Sequence, residues 1–380
     1  MKGREFIIKK VLFISNILSH IYAFHLPYLQ WFRENGFEVH VMTNAGGQEA
    51  SYCDKLYDID IERAPFSPKN INALKQARKI INEEKYDIVH CHTPMGGVIG
   101  RIASRGMRNQ GAKVLYTAHG FHFYKGAPLI NWMLYYTMEK YLAHMTDCII
   151  TINGEDYERA KKHFQSQITA VEKSSGIGVN IDRFSPAEGN EKETLKKKYG
   201  YEGKFILLYA AEFIKRKNHR FFIEAASELA SLCPNIKILF AGKGELLDEM
   251  KKYAEEKSVS KYIDFLGYCT NMPELFKMSD LVVSASIEEG FGINVIEGMA
   301  AGLPAVVSVV RGHKEMVVNG ENGFLFSVNA PNDFCRDVSE LCNSTAMYKR
   351  FSEKALLSVQ KFSISNSLKQ MVSIYKKFGV

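Results

Sequence analysis

Two glutamates, Glu289 and Glu297, stand eight positions apart in the second half of the chain, with a glycine-containing loop between them. The preceding segment DLVVSAS is a β-rich apolar run, and INVIEGMAAG has the apolar spacing of a helix, so the loop is predicted to join a parallel strand to a helix. Gly290 and Gly292 allow the backbone to approach a ligand closely, and the first amides of a helix are unpaired donors at the positive end of its dipole. Sugar hydroxyls and phosphates both suit that environment.

Two cations, Arg216 and Lys217, lie in a second loop of the same half, after the predicted strand KFILLYAAE and before the predicted helix HRFFIEAASELASL. A diphosphate needs positive charge, supplied either by a metal held by carboxylates or by Lys and Arg with helix amides. The D-x-D sequence at 58–60 lies in the other half and is interpreted as surface charge. We therefore predict phosphate binding by Arg216 and Lys217, with no metal.

The histidine His119 follows the predicted strand VLYTA and precedes Gly120, so its ring is expected to emerge at the ligand-binding edge of a sheet. A polar and aromatic loop, SNILSHIYAFHLPYL, follows the first predicted strand. It contributes three further candidates for binding: His20, Tyr22 and His25.

Strands alternate with helical patterns in two successive sets along the 380 residues, the first opening with VLFIS at 11–15 and the second with KFILLYAAE at 204–212. This order predicts an α/β protein with two doubly wound parallel-sheet halves. Segment 174–193 is rich in Gly, Ser, Pro and charge and is interpreted as a linker. We place the first domain at 1–183 and the second at 184–363, with a final helix at 364–380.

The composition argues against a membrane-spanning, disulfide-rich or secreted protein. No stretch approaches the roughly 20 apolar residues that cross a bilayer. The seven cysteines are single and form no C-x-x-C pair, which indicates neither a disulfide framework nor a cysteine zinc site and favours a reducing compartment. The basic and apolar start is interpreted as a buried strand, because Ser15 and Asn16 interrupt the run that a secretory signal needs.

The Glu289–Glu297 spacing, with Gly-Phe-Gly-Ile and Gly-Met-Ala-Ala-Gly-Leu-Pro around it, resembles the E-x7-E signature of family 4 of the retaining glycosyltransferases. The resemblance covers nearly the whole chain. It implies the GT-B fold, in which two Rossmann-like domains face a cleft. It also implies that the first half binds mainly the acceptor, that the second binds mainly the donor, and that the final helix packs back on the first domain.

The resemblance assigns roles in donor binding. It implies that Glu289 contacts the transferred sugar and Glu297 the nucleotide ribose, and that Lys217 contacts the diphosphate. Glu212 stands where the family commonly has a phosphate-binding arginine, so either Arg216 takes that place or it points into solvent. Backbone groups of two loops complete the implied donor site: Phe291, Gly292, Ile293 and Asn294 for the sugar, and Gly267 and Tyr268 for the base.

The phrase TAHGFHFYKG resembles a loop of exopolysaccharide and capsule-type members of the family. There a histidine lies beside the reacting sugar, which implies that role for His119, with His122 as a further candidate. The loop after the first strand implies acceptor contacts for His20, Tyr22 and His25.

The resemblance implies a retaining, metal-independent hexosyl- or N-acetylhexosaminyltransferase that uses a UDP-sugar and a lipid-linked or glycan acceptor in cell-envelope or exopolysaccharide synthesis. No cofactor and no nucleic acid are expected, and the location is cytoplasmic. The aromatic stretch GFHFYKGAPLINWMLYYTMEKYLAH is either buried core or a contact with an anionic membrane. Two alternatives stay open: a UDP-sugar 2-epimerase of the same fold, and an inactive assembly partner.

Overall fold

The computed structural model describes residues 8–379, so the basic start before the predicted strand at 11–15 and residue 380, the last of the predicted final helix, lie outside it. The chain divides into two compact units. One comprises Met1–Gly178 with Ser365–Val380, and the other comprises Val179–Ile364. Within the described residues, none of the helices is both long enough and apolar enough to cross a bilayer.

The first unit contains a seven-stranded parallel sheet with the order β3-β2-β1-β4-β5-β6-β7. Its strands are β1 (Lys10–Ile14), β2 (Glu38–Thr43), β3 (Lys55–Asp58), β4 (Ile88–His92), β5 (Lys113–Ala118), β6 (Cys148–Thr151) and β7 (Ala170–Lys173). The helices that connect them are α1 (Leu18–Phe24), α2 (Leu26–Glu34), α3 (Lys69–Glu84), α4 (Pro94–Arg108), α5 (Leu129–Asn131), α6 (Thr137–Ala143) and α7 (Gly154–Phe164), with a π-helical turn at Trp132–Tyr136.

The second unit contains a six-stranded parallel sheet with the order β10-β9-β8-β11-β12-β13. Its strands are β8 (Phe205–Ala210), β9 (Ile236–Ala241), β10 (Ile263–Gly267), β11 (Leu281–Ser284), β12 (Ala305–Ser308) and β13 (Gly323–Phe326). Its helices are α8 (Glu191–Tyr199), α9 (His219–Leu232), α10 (Leu247–Glu256), α11 (Met272–Met278), α12 (Ile293–Ala300), α13 (Pro331–Asn343) and α14 (Thr345–Val359). The predicted α/β class with two doubly wound sheets is confirmed.

The last helix, α15 (Ile364–Lys376), belongs to the first unit. Its buried residues Met371 and Ile374 join the apolar cluster beneath β1 and β2. The hydroxyl of Tyr375 lies 2.9 Å from Nδ1 of His90 on β4. Segment 174–193, which we interpreted as a linker, is partly ordered: the amide of Val179 donates to Phe362, and α8 begins at Glu191.

Glycines allow α4 to lie directly on the first sheet. A Cβ at Gly100 would stand 2.4 Å from Sγ of Cys91, and one at Gly97 would stand 2.5 Å from the ring of Tyr116. This close approach places the start of α4, and therefore the end of β4, at a fixed position. The adjoining Thr93 has φ +61°, a conformation that is costly for a β-branched residue and that persists only where the surroundings enforce it.

A buried ion pair joins α4 to α6. The guanidinium of the fully buried Arg101 donates to both carboxylate oxygens of Glu139 at 2.7 and 3.0 Å, and it lies 3.9 Å from the ring centroid of Tyr116. The bidentate geometry and the stacked ring offset part of the cost of removing both charges from water.

We expect Arg101→Met to destabilise the chain by about 3–5 kcal/mol, because it leaves the Glu139 carboxylate buried without its partner. The double variant Arg101→Met/Glu139→Leu should recover most of that loss. The exposed Arg105 on the same helix is the matched control, and Arg105→Met should cost no more than about 0.5 kcal/mol. Denaturant unfolding of the wild type and these three variants measures this, and a double variant no more stable than Arg101→Met would contradict it.

Candidate functional site

The loop between β11 and α12 meets the loop between β8 and α9 at the carboxyl edge of the second sheet. The Nζ of Lys217 donates to Oε2 of Glu289, and Nη1 of Arg216 lies 3.7 Å from the same oxygen. β8 and β11 are neighbours at the point where the strand order reverses, which is where open α/β sheets bind ligands. Three of the predicted site residues are therefore brought into one charged cluster.

The charge of Glu289 is fixed by its surroundings. Burial opposes ionisation of this carboxyl, but the Lys217 ammonium, with smaller contributions from His313 and Arg216, more than offsets it, and the pKa of Glu289 lies below its usual value. The side chains of Glu289 and Lys217 are only 14% and 12% exposed. Glu289 is thus an ionised hydrogen-bond acceptor beside a helix start.

The second glutamate of the pair, Glu297, lies one turn into α12 and has a different environment. Burial raises its pKa to about 7, and the positive charge of Arg183 offsets this effect only in part. The two glutamates therefore differ in charge: Glu289, in the loop, is ionised, and Glu297, in the helix, is close to half-protonated at neutral pH.

Two buried polar atoms at this loop have no protein partner. The Nδ1 of His313 donates to the carbonyl of Ser308 at 2.8 Å, so its Nε2 carries a free lone pair, and Nε2 has no hydrogen-bond partner. The Nδ2 of Asn294, in the first turn of α12, also has none. A Cβ at Gly292, where φ is +101°, would stand 3.2 Å from the ring of His313. One acceptor and one donor thus stand ready for a hydroxylated ligand.

The other loop residues that we predicted take up separate positions. Ile293 is the first residue of α12. Phe291 is buried, with its ring centroid 5.5 Å from that of Phe362. Its neighbour in sequence, Gly290, has φ in the ordinary range, so the left-handed conformation is confined to Gly292.

A cavity of about 530 Å³ opens at the ends of β8, β9 and β10. It is lined by residues that follow these strands: Ala211, Glu212, Ala241, Gly242, Lys243, Gly244, Tyr268, Cys269 and Met272. Tyr268 was predicted for base binding and lines the cavity. Gly267 is not among the lining residues, and its carbonyl accepts a hydrogen bond from the amide of Gly242 at 2.7 Å.

The sequence analysis missed the Gly-Lys-Gly segment of this cavity. A Cβ at Gly242 would stand 1.9 Å from the carbonyl oxygen of Ala211, and one at Gly244 would stand 2.4 Å from that of Phe213. Only glycine therefore allows the β9 loop to lie against the β8 loop. The signal was available, because Gly242 ends the predicted strand KILFAG and Lys243 and Gly244 directly follow it. His313, which follows the strand AVVSV, was missed in the same way.

A cluster of four histidines lies at the carboxyl edge of the first sheet. It combines His20 on α1, His25 between α1 and α2, His92 at the end of β4 and His119 after β5. Nε2 of His20 lies 3.2 Å from Nε2 of His119. His92 was missed, although HCHT ends a predicted strand. We name this group the histidine cluster.

Burial controls the protonation of the histidine cluster. It lowers the pKa of His20 to about 4 and holds those of His25, His92 and His119 well below their usual value, with smaller contributions from the neighbouring imidazoles. The four rings are therefore neutral at pH 7. Each then has one N–H donor and one lone pair.

Two predicted acceptor residues lie outside the histidine cluster. The hydroxyl of Tyr22 donates to the carbonyl of Glu49. The ring of His122 packs against Tyr135 at a centroid distance of 4.7 Å. Neither joins the four clustered rings.

A second group among the described residues could hold a metal: Glu38, His40 and Glu84. There, however, His40 is already hydrogen-bonded through both nitrogens, to Tyr86 and to Glu38. Glu84 pairs with Lys10 and Lys55. The hydrogen bonds and ion pairs of these side chains already occupy the atoms that would bind a metal.

We expect Glu297→Gln to stabilise the chain at alkaline pH. Native Glu297 has a pKa of about 7 against an ordinary value of 4.5, so the wild-type protein loses stability as pH rises through that interval. The free energy of unfolding of the variant should exceed that of wild type by at most about 3 kcal/mol above pH 7. Urea unfolding from pH 5 to 8.5 measures the difference, and a gap that does not change with pH would contradict the assignment.

Comparison with known proteins identifies both halves of the chain. A family model described as "Glycosyl transferase 4-like" matches residues 10–153, and one described as "Glycosyl transferases group 1" matches residues 191–357. The chain is 43% identical over 371 residues to the "Putative glycosyltransferase EpsD" of Bacillus subtilis (strain 168), and the match covers 97% of both chains.

Two further matches extend over nearly the whole length. The "UDP-Gal:alpha-D-GlcNAc-diphosphoundecaprenol alpha-1,3-galactosyltransferase" of Escherichia coli is 27% identical over 375 residues, covering 95% of this chain and 92% of the relative. The crystal structure of Anabaena Alr3699/HepE in complex with UDP and glucose has a TM-score of 0.75 at 17% identity, covering 97% and 100% of the two chains. The chain belongs to the glycosyltransferases of the GT-B fold, with a glycosyltransferase 4-like domain followed by a group 1 domain.

Proposed function

We propose that this chain is a retaining, metal-independent glycosyltransferase that moves a hexosyl or N-acetylhexosaminyl group from a UDP-sugar to a lipid-linked glycan of the cell envelope or an exopolysaccharide. The observation that carries the proposal is the contact of Lys217 and Arg216 with Glu289 at the reversal point of the second sheet. This contact places Glu289, which can accept hydrogen bonds from sugar hydroxyls, beside Lys217 and Arg216, which can bind phosphates.

The donor occupies the second unit in this proposal. The UDP base and ribose lie toward the cavity beside Tyr268, with Glu297 on the ribose. The diphosphate lies at Lys217 and Arg216, near the N-terminus of α9, which begins at His219. Arg216, whose side chain is 44% exposed, is free to turn from Glu289 to a phosphate, which accounts for the absence of the usual arginine at Glu212.

The transferred sugar lies at the loop before α12. Glu289 accepts from its hydroxyls, Nε2 of His313 accepts from another, and Asn294 donates. Sugar hydroxyls both donate and accept hydrogen bonds, so they can pair with all three groups. Nε2 of His313 and Nδ2 of Asn294 have no other partner among the described residues. The amides of Phe291, Gly292 and Ile293 add donors at the helix start. From the family resemblance, His119 also contacts the reacting sugar.

The reaction proceeds by front-side attack. The bond from the anomeric carbon to the phosphate oxygen breaks, the acceptor oxygen bonds to the same face of that carbon, and the acceptor proton passes to the leaving phosphate. No covalent enzyme intermediate is involved, so the chain contributes positioning and charge stabilisation. Lys217 and Arg216 offset the negative charge that grows on the leaving group.

The acceptor is a polyprenyl-diphosphate glycan, as named for the relative from Escherichia coli. The family resemblance assigns its contacts to His20, Tyr22, His25 and His122. We propose that the protein acts in the cytoplasm at the inner face of the cell membrane, and exposed apolar residues of α5, of the π-helical turn and of α6 support this proposal. Leu129 is 81% exposed and Met133 72%. Further exposed residues adjoin them: Ile130, Met138, Tyr141, Lys125 and Lys140.

We expect transfer in the presence of a chelator. Purified protein is incubated with a panel of UDP-sugars, undecaprenyl-diphosphate-linked N-acetylglucosamine and EDTA, and radiolabel in the lipid extract is counted. Glu289→Gln should lower the rate about 10²- to 10³-fold, because it removes a charged contact that positions the sugar. The neighbouring Glu288→Gln is the matched control and should retain the rate within a few-fold.

The same assay separates the alternatives. Conversion of a UDP-sugar to an isomer without acceptor would move the assignment to an epimerase. Donor binding without turnover would indicate an assembly partner. NMR of the product reports the anomeric configuration, and an inverted centre would contradict front-side attack.

We expect the chain to bind vesicles that contain anionic lipid. Exposed apolar side chains near lysines combine burial in the interface with attraction to anionic headgroups. The triple change Leu129→Ser/Ile130→Ser/Met133→Ser should abolish co-sedimentation with phosphatidylglycerol vesicles. Leu357→Ser, at a 70% exposed residue of the second unit, is the control and should leave it unchanged. Equal loss in both variants would contradict a specific surface.

A further inference from the structure

We propose that the histidine cluster of the first unit binds one transition-metal dication of the zinc class, with one nitrogen from each of four imidazoles: His20, His25, His92 and His119. This inference goes beyond the transfer reaction and does not depend on it. Because the proposed function assigns His20, His25 and His119 to the acceptor or to the reacting sugar, a bound ion blocks these groups, and we take it to be inhibitory rather than catalytic.

The fold brings the four rings together from distant parts of the chain. His20 and His25 come from the segment after β1, His92 ends β4, and His119 follows β5. Because β1, β4 and β5 are adjacent in the sheet, the three segments leave its carboxyl edge side by side. One ligand nitrogen from each ring lies within 4.8 Å of those of the other three.

These separations are near those that a metal requires. Tetrahedral zinc with Zn–N bonds of about 2.0–2.1 Å places its ligand nitrogens about 3.3 Å apart. The nitrogens of His20 and His119 are already 3.2 Å apart. The other ligand nitrogens lie within 4.8 Å of one another, so binding requires these rings to move closer together.

The strongest observation is the absence of partners for the two most buried rings. Neither nitrogen of His25 and neither nitrogen of His92 has a hydrogen-bond partner, and these residues are only 2% and 1% exposed. A buried polar group without a partner costs about 1–3 kcal/mol. By contrast, His90 on the same strand has both nitrogens bonded, to Tyr375 and to Thr117. A shared cation would engage a lone pair of each unpartnered ring.

Aromatic packing alone does not explain the histidine cluster. The rings of His25 and His92 are 3.8 Å apart between centroids, and His92 stacks on Phe13 with an interplanar angle of 11°. Phenylalanine would provide the same stacking without leaving nitrogens unsatisfied. Stacking accounts for the position of the His92 ring on Phe13, but not for the unpartnered nitrogens.

The ligand set indicates the class of metal. Imidazole suits zinc, copper, nickel and iron, whereas magnesium and calcium need oxygen ligands, and neither a carboxylate nor a thiolate belongs to this group of four. Four protein ligands leave no open position for a water, which is the arrangement of structural zinc sites. Our expectation of no metal rested on the D-x-D sequence, on the cysteines and on the family resemblance, which concerns the transfer reaction rather than a bound inhibitory ion.

The test uses the full chain after removal of metal by a chelator. We expect one equivalent of Zn²⁺ to bind by calorimetry, and Co²⁺ to give the intense visible absorption of a four-coordinate imidazole site. Zn²⁺ should raise the melting temperature by several degrees, because the ion links the α1–α2 segment to the ends of β4 and β5. Mg²⁺ should have no effect.

Two matched variants probe the ligands while keeping the ring stack. His25→Phe and His92→Phe should each weaken Zn²⁺ binding at least about tenfold and abolish the cobalt band. His144→Phe, at an exposed position, is the control and should bind as wild type. Circular dichroism checks folding, and the partly exposed His20→Asn replaces either variant that does not fold.

The proposal is overturned if Zn²⁺ binding is unaffected by the cluster variants, if it is lost with His144→Phe, or if Co²⁺ gives only the weak spectrum of a six-coordinate ion. No donor or acceptor is present in these measurements. Their outcome is therefore separate from that of the transfer assay, and an inactive protein that binds zinc would overturn only the proposed function.

Discussion

The position of both candidate binding sites depends on the handedness of the connections between parallel strands. Each sheet here begins in its middle, and further strands are added first on one side of the first strand and then on the other. Because the crossovers keep the same hand, the connecting helices lie on opposite faces of the sheet for the two directions. β1 and β4, and likewise β8 and β11, therefore lie side by side while the loops that follow them diverge. The gap between diverging loops is where backbone donors and side chains can reach a ligand without steric competition.

The side chains that lie in this gap differ between the two sheets. In the second unit, opposite charges meet: Glu289 stays ionised because Lys217 compensates for its burial. In the first unit, burial acts on imidazoles with no carboxylate beside them, and they remain neutral. Glu297 shows that position matters more than residue type, since burial raises the pKa of this glutamate, eight positions after Glu289, to about 7.

The sequence predicted the fold class well because the central strands are continuous apolar runs. The strands it missed, β3, β7 and β13, are four-residue edge strands with a partly exposed pattern, and an edge strand needs only one paired side. Within the site, Glu289 and Lys217 were each identified from local motifs, but their contact spans 72 positions and has no local signal. His92 and His313 were missed for the same reason: their significance comes from partners that only the sheet order supplies.

The position of α15 has a consequence for the order in which the chain can fold during synthesis. The ends of the second unit are hydrogen-bonded to each other, with Val179 donating to Phe362 and Ile364 donating to Val179, so this unit is closed before α15 is made. The first unit is begun earlier but obtains Met371, Ile374 and Tyr375 only after the second is complete. On the ribosome, the segment begun first is thus completed last, and until then the apolar surface around Phe32 and Val41 is exposed to chaperones.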